Sequence, residues 1–139
     1  MRVTTIYKYP ESGTRNGRVY PPEVLKKAFA EPRFKELCDT NTIPVIDYEQ
    51  DHVIGFAAAK LEDDIVTTVD ANIFDPTYIE AFKELSKSTD SFGFTLAGTG
   101  TSEFDMQDGK TYITDVTFDR AYIFTKDLAV DCQTIIHEE

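Results

Sequence analysis

Only two side chains in this sequence, His52 and His137, have an ordinary pKa suited to proton transfer near neutral pH, so general-base chemistry would have to pass through one of them. His52 follows the carboxylates Asp47, Glu49 and Asp51, which favour imidazolium where they come close. A polar surface corner accounts for the same residues without chemistry. His137 stands in His137-Glu138-Glu139 and reads as a solvated tail residue. An oxygen-rich set with one imidazole fits neither an EF-hand nor a zinc motif, so no metal is expected. Cys38 and Cys132 are far apart and outside any C-x-x-C spacing, which predicts reduced thiols. Neither Ser91-Phe92-Gly93-Phe94 nor Gly98-Thr99-Gly100 has the context of a phosphate loop, and no G-x-S-x-G elbow is present. No cofactor is expected, and an α/β-hydrolase is set aside.

The elements that would have to position these groups are mostly strands. Val3 to Tyr9 is rich in β-branched and aromatic residues and reads as a strand ending at Pro10, followed by a polar loop closing in the hairpin-like Asn16-Gly17. Pro21-Pro22 opens a helix with Val24, Leu25, Ala28 and Phe29 on one stripe, bent or restarted at Pro32 before Phe34 and Leu37. Ile43 to Ile46, Val53 to Lys60 and Ile65 to Phe74 read as strands. Asp75-Pro76 is an N-cap followed by proline at the first helical position, and Tyr78, Ile79, Phe82 and Leu85 share one face of the helix it starts. Beyond it, Ser91 to Ala97 is β-like and Gly98 to Asp108 reads as a hairpin loop or irregular strand. Thr111 to Phe118, Ala121 to Thr125 and Val130 to Ile136 complete the list. The expected fold class is α+β, mainly β: an antiparallel β-barrel of about seven strands with two flanking helices.

The chain of 139 residues is one ordinary domain, 1–139, with no repeat and no Pro/Gly/Ser linker to divide it. Its 41% hydrophobic and 28% charged residues, with no run of about 18 apolar residues, describe a globular protein and not a membrane span. Fourteen Lys and Arg stand against 25 Asp and Glu, and the resulting net charge of −11 is repelled by phosphate backbones and anionic lipid. Neither nucleic acid nor membrane is an expected partner. Mimicry of DNA by an acidic surface directed at a host enzyme is the opposite reading of the same charge. The N-terminal residues Met1 to Tyr7 lack the apolar core of a signal peptide, which points to a cytoplasm. Tyr7, Tyr9 and Tyr20 could form a partner surface, although with 7 Tyr, 10 Phe and no Trp most aromatics must fill the core, and the sequence does not choose among them.

One segment is more specific. Arg15-Asn16-Gly17-Arg18-Val19-Tyr20-Pro21, running into Glu23-Val24-Leu25-Lys26-Lys27-Ala28, resembles the signature that opens tailed-phage prohead (capsid maturation) proteases. Three later stretches follow in the order that family would give. Ile43-Pro44-Val45-Ile46 through Val53-Ile54-Gly55 is similar to its Pro-apolar strand leading to the catalytic His and an Ile-Gly pair. Ser91-Phe92-Gly93-Phe94 is similar to its nucleophile motif, and Thr114-Asp115-Val116-Thr117-Phe118-Asp119 with Ala121-Tyr122-Ile123-Phe124-Thr125 to its closing strand.

The resemblance implies a herpesvirus-assemblin-like barrel and a role in assembling a phage head. Its partners would be the major capsid protein, the scaffold protein or both, in a virion capsid assembled in the host cytoplasm, with a homo-oligomer left open. It also implies that Ser91 holds the nucleophile position and Asp119, or else Asp115, the acidic one. The family's His position falls on Tyr48 or Glu49, and neither can do its work. A phenol of pKa about 10 holds its proton too tightly, and a carboxylate near 4.3 is too weak a base. Loss of a triad member costs on the order of 10⁴ to 10⁶ in rate. The expected function is therefore a non-catalytic, capsid-associated structural or accessory protein. An active serine-type maturation protease using Ser91, His52 and Asp119 is the alternative, and requires His52 within about 3 Å of the serine hydroxyl.

Overall fold

β-Branched and aromatic residues at alternate positions make extended segments that must bury one face. The computed structural model describes residues 1–10, 12–14, 16–47, 51–63, 65–85, 93–124 and 132–137. In chain order these form β1 (Arg2–Lys8), β2 (Arg18–Val19), α1 (Pro22–Ala30), α2 (Pro32–Asp39), β3 (Ile43–Asp47), β4 (His52–Glu62), β5 (Val66–Ile73), α3 (Pro76–Leu85), β6 (Gly93–Asp105), β7 (Lys110–Phe124) and β8 (Cys132–Ile136).

Proline sets the helical boundaries. Pro32 pushes the preceding Glu31 out of the helical region to φ −61°, ψ 127°, which ends α1. The Glu31 carboxylate then accepts from the backbone N–H groups of Arg33 at 3.1 Å and Phe34 at 3.0 Å, capping α2. The expected single broken helix is thus two helices, and the described residues hold three helices where two were expected. α1 buries Leu25 and Ala28, and α2 buries Phe34 against the rings of Phe29 and Phe118, with centroids at 5.2 and 5.7 Å.

All eight strands join one sheet in the order β2-β7-β3-β4-β5-β1-β8, with β6 paired to the other flank of β7. The barrel expectation needs two corrections. First, the sheet is mixed: β7 runs parallel to β2 (Arg18↔Thr111) and to β3 (Val45↔Ala121). Asn16-Gly17, with Gly17 at φ +77°, therefore leads into a short parallel pairing and not a hairpin. Second, the sheet curls into a half-barrel without ladder closure. Among the described residues, the first half of β6 meets β1 through side chains: the Phe94 N–H donates to Thr5 Oγ1 at 3.2 Å and the Leu96 N–H to the Tyr7 hydroxyl at 3.1 Å. Tyr7 and Tyr9, left open between a partner surface and the core, are buried there.

One segment read as two strands is continuous, and one left open between a hairpin loop and an irregular strand is a strand as far as Asp105. β7 is one strand because bulges absorb its extra residues: Ala97 faces Arg120 and Gly98 faces Phe118, leaving Asp119 over, and Thr114 is the surplus residue one turn of the ribbon further on. β6 runs to Asp105, through Gly98 and Gly100. A Cβ at Gly98 would overlap the Thr117 carbonyl oxygen, so glycine here permits close approach of β7 and does not mark a loop.

Candidate functional site

His52 opens β4 beside the buried Asp47, to which it is paired across the β3–β4 ladder. Its Nε2 lies 3.3 Å from Asp75 Oδ2, and its ring meets Tyr78 edge-on at 5.8 Å. Asp75 also starts α3, because its Oδ1 accepts from the Thr77 N–H at 3.0 Å and its carbonyl from the Ile79 N–H at 3.0 Å. The helix then buries Phe82 against Phe94, with centroids 5.9 Å apart at 87°. One carboxylate thus ties an imidazole to the helix that packs on the start of β6. Substituting Asp75→Ala removes the cap and is expected to cost about 1 kcal/mol in urea unfolding. An effect below about 0.3 kcal/mol would mean that the helix starts without it.

Asp75 was legible in the sequence only as a cap; its approach to His52 across 23 residues was not. Ser91, Tyr48 and Glu49 lie outside the described residues. Asp119 is half-buried, with Oδ1 3.5 Å from Arg120 Nη1 on the next residue of the bulge. The register fixes its relation to His52. Asp47 pairs with both His52 and Ile123, so His52 is level with Ile123 two strands away. Asp119 is four residues up β7 from that level, about 13 Å along the strand and two strand spacings across, so the Cα atoms stand about 16 Å apart. The structure brings His52 to Asp75 and does not bring it to Asp119. Asp115 is farther up the same strand, 3.6 Å from Lys27.

His137 is not a solvated tail residue. Its backbone N–H donates to the Arg2 carbonyl at 3.0 Å, and its Nε2 lies 2.8 Å from Thr4 Oγ1. Thr4 in turn donates to Asp70, which also takes both Nε and Nη2 of Arg2, with the shortest contacts at 2.9 Å. Burial opposes ionisation of Asp70, but the bonds from Arg2 and Thr4 outweigh it and hold the carboxyl below its usual range. These residues strap β8 to β1 and β5. No three His, Cys, Asp or Glu side chains gather into a metal-binding set among the described residues. No helix there is long and apolar enough to cross a membrane.

A groove of about 710 Å³ lies between the β6–β7 ribbon, the end of β1 and the segment leading to α1. Its floor is aromatic: Tyr7 and Tyr9 meet edge-on at 5.3 Å, and Tyr20 lies 4.5 Å from Tyr9. Burial pushes the Tyr7 phenol up to about 12, against the hydrogen bonds from Tyr9 and Leu96, and burial raises Tyr9 well above the ordinary value. Both phenols are therefore neutral hydroxyls. Among the described residues, the charged side chains lining the groove are Arg18, Arg120 and Asp115, with the Arg120 guanidinium 5.4 Å above the Tyr122 ring. Such a surface is equipped to bind, with hydroxyls, ring faces and a guanidinium, and it holds no imidazole to serve as a base. No family model, curated protein or solved structure matches the chain.

Proposed function

We propose that this chain is a tailed-phage head protein of prohead-protease-like fold that works without catalysis, as a capsid-associated structural or accessory protein binding the major capsid protein, the scaffold protein or both. The motif run from Arg15 to Ala28 and the helix-flanked, curled, mainly β sheet support the reading. The observation that carries its non-catalytic half is in the sequence: the family's His position falls on Tyr48 or Glu49, a phenol or a carboxylate where an imidazole is needed. A serine without a positioned base keeps its proton.

Incubation with the cognate capsid and scaffold proteins is expected to leave both intact, and mass spectrometry of purified virions to find this chain among the structural components. Reproducible cleavage that disappears in Ser91→Ala would overturn the proposal. A second reading, an active serine-type prohead protease, has one observation in its favour: the His52–Asp75 contact is the base-and-orienter half of a triad. In that case Asp75, not Asp119, is the acidic member, and Asp75→Asn lowers cleavage by about 10⁴-fold while Asp119→Asn leaves it within about threefold.

A further inference from the structure

Side chains of a strand alternate between its faces, yet every residue from Thr99 to Phe104 is exposed, so β6 is packed on neither face along this stretch. Its flank away from β7 is open as well. In an antiparallel ribbon, alternate residues of the outer strand direct N–H and C=O away from the partner. On β6 these include Phe94 and Leu96, whose N–H groups reach Thr5 Oγ1 and the Tyr7 hydroxyl. Both bulges place their surplus residues on β7, so the row continues through Gly98, Gly100, Ser102 and Phe104. Among the described residues, no group bonds to the last three on that flank. A two-stranded ribbon is marginal by itself, and here β2 adds a third strand only beside Thr111 and Tyr112.

What this flank lacks, a second copy of the same flank supplies. A parallel pairing would align Glu103 with Glu103 and Asp105 with Asp105, so the copies must run antiparallel. Outward-directed residues then face one another, which puts the two-fold axis through a residue of β6 and not between two. An axis at Glu103 opposes two carboxylates. At Thr101 it sets Met106 of the second copy against Leu96, whose N–H the Tyr7 hydroxyl already holds. At Ser102 neither conflict arises. Gly100, Ser102 and Phe104 of one copy pair with Phe104, Ser102 and Gly100 of the other, giving about six main-chain bonds over about 16 Å. Glu103 faces Thr101, and Asp105 faces Thr99. Phe104, 64% exposed in the single chain, comes to lie over the bare face of Gly100, the aromatic cover that an edge glycine favours. From Gly98 to Asp105 the strand carries no proline and no lysine, two devices that ordinarily block strand addition.

We infer that this chain self-associates as a two-fold dimer in which the β6 strands of two copies pair antiparallel through Gly100–Phe104 about Ser102, joining both sheets into one. The inference goes beyond the head-protein reading and does not depend on it. The contact is smaller than a standard interface and two chains of net charge −11 repel each other, so the dimer is weak and tightens as salt screens the repulsion.

Sedimentation velocity of the full chain from about 5 to 500 μM is expected to show monomer passing into dimer with a Kd of about 10–100 μM, falling at least about threefold between 0.15 and 0.5 M salt. Ser102→Lys sets two ammonium groups face to face on the axis while making each chain less negative. It is expected to weaken the dimer at least about tenfold, whereas a contact governed by overall charge would tighten. Disulfide formation reads the register. Ser102→Cys places its two Cα atoms about 5.5 Å apart, within bridging range, and Glu103→Cys about 8 Å apart, beyond it. Air oxidation is expected to crosslink the former at least about tenfold faster, each read against the parent chain, which carries the same Cys38 and Cys132. Monomer alone at about 500 μM, a dimer indifferent to Ser102→Lys, or crosslinking no faster at 102 than at 103 overturns the inference. Should Ser102→Lys lose its circular dichroism signature of folding, the two crosslinking rates decide.

Discussion

Phe34→Ala is expected to lower the free energy of unfolding by about 3–5 kcal/mol. The ring is fully buried and is held by Phe29 edge-on at 84° and by Phe118 at 56°. Truncation removes the transfer energy of the ring and leaves a cavity where α1, α2 and β7 meet, which rigid strands and two proline-bounded helices cannot fill by collapse. Against a total stability of about 5–15 kcal/mol the loss is at least about a fifth of the total, a fall in melting temperature of roughly 10–20 °C. Phe74→Ala serves as the contrast: that ring is 56% exposed, and its removal is expected to cost less than about 1 kcal/mol. Urea unfolding followed by circular dichroism gives both values. A Phe34→Ala protein within about 1 kcal/mol of the parent would mean that α2 does not hold β7.

Raising the pH from 8 to 11 is expected to cost about 1.4 kcal/mol through Tyr7 alone. Its folded value near 12 stands above an unfolded value near 10, so folding favours the neutral phenol. Its contribution is complete below pH 10 and is lost as the pH rises through 12, for a total of about 3 kcal/mol. Tyr9, raised in the same direction, adds to the loss. Tyr7→Phe separates the two roles of the hydroxyl. It leaves the buried Leu96 N–H without its acceptor and is expected to destabilise by about 1–3 kcal/mol at pH 8. The same variant has less to lose at pH 11, so its stability curve is flatter. A wild-type curve flat from pH 9 to 11 would place the Tyr7 hydroxyl in water and open the seam.

Where local chemistry decides structure, the sequence was readable. Asp75-Pro76 starts α3, Pro32 interrupts the first helical stripe, and β1, β3, β4 and β5 stand within two residues of their expected bounds. The errors have a common source in interactions between distant segments. Gly98 and Gly100 lower strand propensity and left that stretch open between loop and irregular strand, yet the β7 backbone comes so close that no other residue fits. Asp119-Arg120 reads as a break, yet a bulge accommodates it without ending the strand. The parallel pairing of β3 with β7 joins Val45 to Ala121, and no local signal announces a partner at that distance. The site shows the same division. His52 was visible by elimination because imidazoles are rare in this chain, whereas its partner Asp75 was hidden behind a sufficient capping role. The groove could not be read at all, since it is made by what β1 fails to cover.

The strapping of β1 has a consequence for how the protein is made. β1 is translated well before its partners, because its ladders run to β5, through Arg2↔Asn72, and to β8, through Val3↔Ile136. At about 5–20 residues per second, the latter partner arrives roughly 7–26 s after the former strand is translated. Throughout that interval the earliest strand has an unsatisfied flank and Val3, Thr5 and Tyr7 lack their cover, so a product of interrupted translation presents a sticky ribbon to its neighbours. The second flank of β1 therefore stays open until β8 has been made, and until then that edge is a target for holdase chaperones.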